Sequence, residues 1–200
     1  GVPGMSGVGT DLSDGRLANL AAGVGPTAEK NGVPLDIINA ASTPLEYGYT
    51  YATCLVPVPA LVSQAVDLLA QGGILNAFAG IPAGTFGDFD LQGIIERQIF
   101  MLGTSGSDVS DMRTVLRKIE DGVIDTTISL WALTGMAGFG HALNSVINPT
   151  SGGKIMVFPS LHDLGLPPLS ELAEKFPQVA AAMQDGLWTT APEDAHLAQE

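Results

Sequence analysis

The sequence predicts an α/β fold, a doubly wound, mostly parallel sheet with helices on both faces. Three observations predict it. Apolar runs of strand length alternate with segments of helical period, an order that calls for right-handed crossovers through helices. The run 74–79 is apolar almost throughout, as strands covered on both faces are. Glycines follow the runs, at Gly80 and at Gly103 and Gly106, where chain reversals are needed.

The elements follow in order. A short strand ends at Asp11, and 16–30 carries leucine and alanine at helical spacing, with Gly32 placed to close the helix. A strand is expected at 35–40. Another is expected at 49–58, where Tyr51, Thr53, Cys54, Leu55 and Val56 form a β-branched and aromatic set stopped by Pro57 and Pro59. From Ala60 the period changes: Leu61, Val62, Ala65, Leu68 and Leu69 share one helical face, and Gly72-Gly73 ends that helix. Strands follow at 74–79 and 98–103. A helix capped by Ser107 or Asp108 then places Val109, Met112, Val115, Leu116 and Ile119 on a stripe expected to be buried, and Gly122 stops it. A strand at 155–158 precedes Pro167-Pro168 and an amphipathic helix with Leu169, Leu172, Ala173 and Phe176. The expected organisation is a nucleotide-binding domain over 1–160 and a C-terminal helical tail over 161–200.

Composition narrows the function. The 200 residues are 46% apolar, enough to bury a core, and their formal charge of −13 repels a phosphate backbone and anionic membrane surfaces. Nucleic acid and membrane are therefore not expected partners. A lone cysteine, Cys54, excludes an intramolecular disulfide and a multi-cysteine zinc site and suits a reducing cytoplasm. The uncharged stretch between Asp125 and Lys154 is broken by glycines, His141, two asparagines and Pro149, and lacks the apolar run of about twenty residues that a span requires. No metal-ligand spacing appears.

In a parallel sheet, ligands bind beyond the carboxyl ends of the strands. That singles out Asp11 and Arg16, then Val56 and Pro57, then Ala79, Gly80 and Ile81, then Thr104 and Ser105. A carboxylate after a strand can accept both ribose hydroxyl protons of a dinucleotide, or it can simply favour the positive end of the next helix. Glycines after strands let backbone amides approach a flat ring, or they only make turns. His141 has no second ligand at i+4, and His162 and His196 have no partner pattern. Cys54 falls mid-strand, where a small buried hydrophobe is the plain reading. Trp131 and Trp188 read as packing residues.

Thr10-Asp11-Leu12-Ser13 with Arg16-Leu17 resembles the second-strand segment of polyol dehydrogenases in the zinc-type medium-chain alcohol dehydrogenase superfamily. Leu68-Leu69-Ala70-Gln71-Gly72-Gly73-Ile74-Leu75, ending in Ala79-Gly80, resembles that family's passage beneath the nicotinamide. Gly152-Gly153-Lys154-Ile155 is similar to its returning segment. Sorbitol dehydrogenase-like and sorbose-1-phosphate reductase-like members are the most similar. The resemblance implies an incomplete Rossmann-like fold, with Asp11 as acceptor for the adenosine ribose and Arg16 beside it. Val56 and Pro57 would pass under the middle of the cofactor. Ala79, Gly80, Ile81, Thr104 and Ser105 would line the nicotinamide. Charge at Asp11 favours NAD over NADP, and Arg16 keeps NADP open.

Two departures are expected to matter. The ribose acid normally lies about twenty residues after the first glycine of the phosphate-binding turn, whereas only ten residues precede Asp11. The first strand and glycine turn are thus expected to be missing, as is the N-terminal domain whose Cys, His and Glu ligands hold the family's catalytic zinc. The resemblance implies the cofactor-binding part of an NAD(P)-dependent dehydrogenase, inactive alone and without catalytic or metal-binding residues of its own. The alternatives are a non-catalytic module that forms homo-oligomers through sheet edges, and a different nucleotide-binding enzyme such as a methyltransferase.

Overall fold

The computed structural model describes residues 4–183, apart from 105, 149, 151 and 161, together with Trp188. Every named strand pair is parallel, and helices occupy most of the connections. The chain divides into two compact units, Gly1–Asn39 with Lys118–Glu200, and Ala40–Arg117.

In the first unit, β1 (Gly7–Asp11) pairs in parallel with β2 (Leu35–Asn39), with Asp11 opposite Asn39 at their carboxyl ends. The crossover is α1 (Asp14–Lys30). Its N-cap is Ser13, whose Oγ accepts from the Arg16 amide, and Asn31 closes it with a side-chain bond to the Thr27 carbonyl. The second pair of this unit is β6 (Leu130–Thr134) with β7 (Lys154–Val157), joined through α5 (Phe139–Ile147). Leu133, Leu164, Leu172, Val179 and Trp188 form its core, with the Phe158 ring 6.3 Å from Trp188.

Gly138, the N-cap of α5, is fixed by its neighbours. A Cβ there would lie 2.6 Å from the Gly165 carbonyl carbon and would also meet Thr134 Oγ1. Backbone cannot swing aside as a flexible side chain can. Gly138→Ala is therefore expected to lower stability by about 2–3 kcal/mol, measured by urea unfolding, while Gly140→Ala, which meets open space, should be nearly neutral.

In the second unit, β4 (Leu69–Ala77) lies between β3 (Tyr49–Cys54) and β5 (Phe100–Gly103). Cys54, Val62, Val66, Leu69 and Leu75 form the core beneath α2 (Pro59–Asp67). A short helix, α3 (Leu91–Arg97), is capped by Asp90, whose Oδ1 accepts from the Gly93 amide, and ends at Gln98 with φ 54°.

Several sequence expectations are corrected. The helix expected to reach Gly72-Gly73 ends at Asp67. The Leu68 carbonyl accepts from the amides of Gly48 and Tyr49, which draws Leu69 into the sheet as a fully buried strand residue. Gly72, with φ 71°, then carries the irregularity that shifts the β3–β4 register between Leu69 and Ile74. The strand expected at 49–58 stops at Cys54, and the tail helix is broken at Pro177 into α6 (Leu172–Lys175) and α7 (Pro177–Ala182).

The largest correction concerns α4 (Val109–Glu120). Its cap is as expected: Asp108 Oδ1 accepts from the Ser110 and Asp111 amides, and Asp111 Oδ2 accepts from the Asp108 amide. Its stripe is not buried. Val109 is 60% and Leu116 53% exposed, so caps and internal hydrogen bonds hold this helix rather than a core.

Candidate functional site

The carboxyl end of β1 presents Asp11, and three residues later α1 has begun. This geometry brings Arg16, in the first turn of α1, back onto the strand end. Arg16 Nε donates to Asp11 Oδ2 at 2.9 Å and Nη2 donates to Oδ1 at 2.6 Å, a two-pronged ion pair. The Ser13 amide donates to the same Oδ1 at 2.8 Å. Beside them, at the end of β2, Asn39 Nδ2 donates to Asp14 Oδ1 at 2.6 Å. The Arg16 hydrogen bond holds the Asp11 carboxyl below its usual value near 3.8, with the Ser13 amide acting in the same direction against partial burial. Because the folded-state value is depressed, the stability this pair adds is fully present above the ordinary carboxylate value and is lost as pH falls through the lowered one.

Val56, Pro57, Ala79, Gly80, Ile81 and Thr104 belong to the second unit. Beyond β3 the chain turns with the Val58 amide on the Val56 carbonyl, leaving Val56 and Pro57 exposed. The Cys54 carbonyl accepts from the amides of Phe78 and Ala79, both at 3.1 Å, so the turns after β3 and β4 start from one point. The Ile81 amide closes back on the Ala79 carbonyl, and the Ile81 side chain packs on the core. Thr104, just past β5, donates from Oγ1 to Asn76 Oδ1 at 3.1 Å. Ser105 lies outside the described residues.

Asn76 and Tyr51 are additions that sequence reasoning passed over. Asn76 Nδ2 donates to the Tyr51 hydroxyl at 3.4 Å, so Tyr51, Asn76 and Thr104 make a polar line across β3, β4 and β5. The signal was present, since Asn76 is the one polar residue in 74–79.

No protein-family model matches the chain. Among curated proteins it is similar to L-sorbose 1-phosphate reductase of Klebsiella pneumoniae, 28% identical over 155 residues, which covers 76% of this chain and 37% of that protein. Mannitol-1-phosphate 5-dehydrogenase of Aliivibrio fischeri is 28% identical over 177 residues, 82% of this chain and 41% of that one. Among solved structures, 2R,3R-butanediol dehydrogenase from Bacillus subtilis superposes with a TM-score of 0.62 at 16% identity, over 78% of this chain and 44% of that one. In sequence and in fold the chain resembles the zinc-type medium-chain dehydrogenase superfamily.

A third similar sequence, the uncharacterized protein YggP of Escherichia coli K12, is 26% identical over 94% of this chain and 49% of its own length. The chain thus spans 37 to 49% of the length of the curated relatives it matches. A short chain alcohol dehydrogenase from E. coli CFT073, TM-score 0.56 and 15% identity over 70% of this chain and 40% of that one, is complexed with NADH. A Sinorhizobium meliloti 1021 protein described as a zinc-binding dehydrogenase, TM-score 0.57 and 17% identity over 78% of this chain and 52% of that one, is bound to NADP.

The donor set at the end of β1 fits the adenosine half of a dinucleotide: a carboxylate for hydroxyl protons and a guanidinium for phosphate oxygens. Zinc is different. Cys54 is buried in the core and donates weakly to the Val56 carbonyl, and among the described residues no three His, Cys, Asp or Glu side chains converge. The described residues do not fit the superfamily's metal. Nor is any helix among them long and apolar enough to cross a membrane.

Proposed function

We propose that this chain is the cofactor-binding part of an NAD(P)-dependent dehydrogenase acting on a polyol or sugar phosphate, the dinucleotide-binding region running over 1–160. A nicotinamide dinucleotide, when bound, accepts or delivers a hydride. This chain's share of the work is to hold and orient it. Asp11 would accept ribose hydroxyl protons with Arg16 at its side, and Val56 and Pro57 would run under the middle of the cofactor. Ala79, Gly80, Ile81, Thr104 and Ser105 would form the wall at the nicotinamide. The observation that carries this reading is Asp11, paired with Arg16, at the carboxyl end of a parallel strand that leads into a capped helix. No residue of the chain is assigned a catalytic role, and the 200 residues assayed alone are expected to bind without turnover.

Calorimetric titration tests the reading. NADH should bind the chain, and Asp11→Ala should weaken it roughly tenfold or more, the usual scale for removing a charged hydrogen-bond acceptor. Equal affinity in both proteins would sink the assignment. A second reading, a non-catalytic module that assembles through sheet edges, is favoured by β5, an edge strand with Phe100 63% and Met101 45% exposed. A stable dimer in sedimentation, with no heat on NADH titration, would select it.

A further inference from the structure

Besides its exposed apolar stripe, α4 carries a second face. Ser110, Arg113, Thr114 and Arg117 stand at i, i+3, i+4 and i+7, so they share one side of the helix, and with Leu116 they line a shallow groove of about 470 Å³ open to solvent. Three of the chain's eight lysines and arginines stand at 113, 117 and 118, although its formal charge is −13. Two arginines one turn apart repel each other. Among the described residues, Arg16 is paired with Asp11 and Arg97 is bound to carbonyls, whereas neither Arg113 nor Arg117 has an ion pair or a side-chain hydrogen bond. We propose that this face of α4 binds a phosphate monoester, and that the substrate of the proposed reaction carries that phosphate. The anion site stands on α4 alone; its assignment to the substrate rests on the dehydrogenase reading above.

Each guanidinium offers a fixed fork of five N–H donors that matches the oxygens of a phosphate dianion. The hydroxyl protons of the groove are already committed: Thr114 Oγ1 donates to the Ser110 carbonyl and Ser110 Oγ to Asp108 Oδ1, so the two arginines carry the binding. The acids at the start of the helix do not answer them, for Asp108 and Asp111 accept from the cap amides. Glu120 and Asp121, beyond Arg117 in the chain, are the opposing charges that remain. The more distant acids of this chain are screened over about 10 Å at 0.1 M salt, so a local pair of cations attracts an anion that the net charge repels. The position suits a substrate group. Helix α4 follows β5 after a short connection that starts at Thr104, one of the residues proposed for the nicotinamide wall, and Arg113 and Arg117 belong to the same compact unit as Ala79, Gly80 and Ile81.

The test titrates the full 200-residue chain with inorganic phosphate, mannitol 1-phosphate and mannitol, with and without NADH, by calorimetry and by NMR of the Arg113 and Arg117 Nε–H signals. Both phosphate compounds should bind and move both arginine signals, and mannitol should move neither. Arg113→Gln and Arg117→Gln should each weaken phosphate binding by roughly tenfold, with lysine at either position restoring part of the loss. Lys175→Gln, a cation outside α4, should change nothing. With NADH present, mannitol 1-phosphate should bind more tightly than inorganic phosphate. Phosphate binding unchanged in both glutamine variants, or no binding at millimolar phosphate, would overturn the anion site and leave the NADH titration to judge the cofactor reading separately. Equal affinity for the two phosphate compounds with NADH bound would overturn the substrate assignment. Phosphate bound at these arginines by a chain that binds no NADH would overturn the proposed function and that assignment, and the anion site would stand.

Discussion

Leu75→Ala is expected to lower the stability of the chain by about 3 kcal/mol, within the range of roughly 2–5 for fully buried leucines, read as a drop in the urea midpoint. Leu75 has no exposed surface, and it sits in the central strand of a three-stranded sheet against Cys54, Val62, Val66 and Leu69. The removed methyl groups would leave a void lined by side chains that are themselves fixed by the strands, so collapse into it is limited. The functional consequence follows from register. Ala52 opposes Leu75 on β3 and Met101 opposes it on β5, and two residues later the strands end, leading into the turns that hold Ala79 and Thr104. Loosening at Leu75 would therefore blur the wall proposed for the nicotinamide. Leu75→Met, close in volume, should cost under about 1.5 kcal/mol. A destabilisation as large as alanine's would point to shape rather than volume.

Arg97→Met is expected to cost about 2–3 kcal/mol, the scale of hydrogen bonds to a charged group. Arg97 Nη1 donates to the carbonyls of Val66 at 3.0 Å, Asp67 at 3.3 Å and Leu69 at 2.7 Å, and Nε donates to the Gly93 carbonyl at 3.2 Å. One guanidinium thus satisfies the carbonyls where α2 ends and β4 begins, groups that a helix terminus leaves without internal partners. The weak contact to the Asp67 carboxylate, at 4.0 Å and largely exposed, adds little. Because the arginine fork makes these bonds in several directions at once, Arg97→Lys should recover only part of the loss. Full recovery by lysine in chemical unfolding would show that charge alone matters there.

Local signals in the sequence were reliable where local chemistry decides the outcome. Asp108 with Asp111 at α4 is a short-range cap, and the structure has it; Ser13, which caps α1 in the structure, was not singled out. The acid at the end of β1 was legible because strand and helix each announce themselves. The main role of Arg97 was not legible: apart from the Gly93 carbonyl four residues back, its partners lie 28 to 31 residues away, and no spacing rule links them. The α3 helix was hidden by Gly93 and by its length of seven residues, too short for a period to show. At Leu68-Leu69 the helical stripe and the following strand share residues of one type, so hydrophobicity could not mark the seam; pairing with the start of β3 decides it. The α4 stripe shows the reverse limit, for an amphipathic pattern states which face is apolar and not whether anything covers it. The Asp11–Arg16 pair was legible as two neighbours, whereas their two-pronged bond required the strand-to-helix turn to be built.

The single sulfhydryl gives this fold a built-in clock. Cys54 is 7% exposed, ends β3, and is packed with Val66 and Leu75, so a bulky alkylating reagent can reach it only when that sheet opens. In the regime where closing outruns alkylation, the reaction rate of this one atom is the opening equilibrium constant multiplied by the reactivity of a free thiol. The second unit's local opening can therefore be timed in the unlabelled chain, residue 54 serving as its own probe.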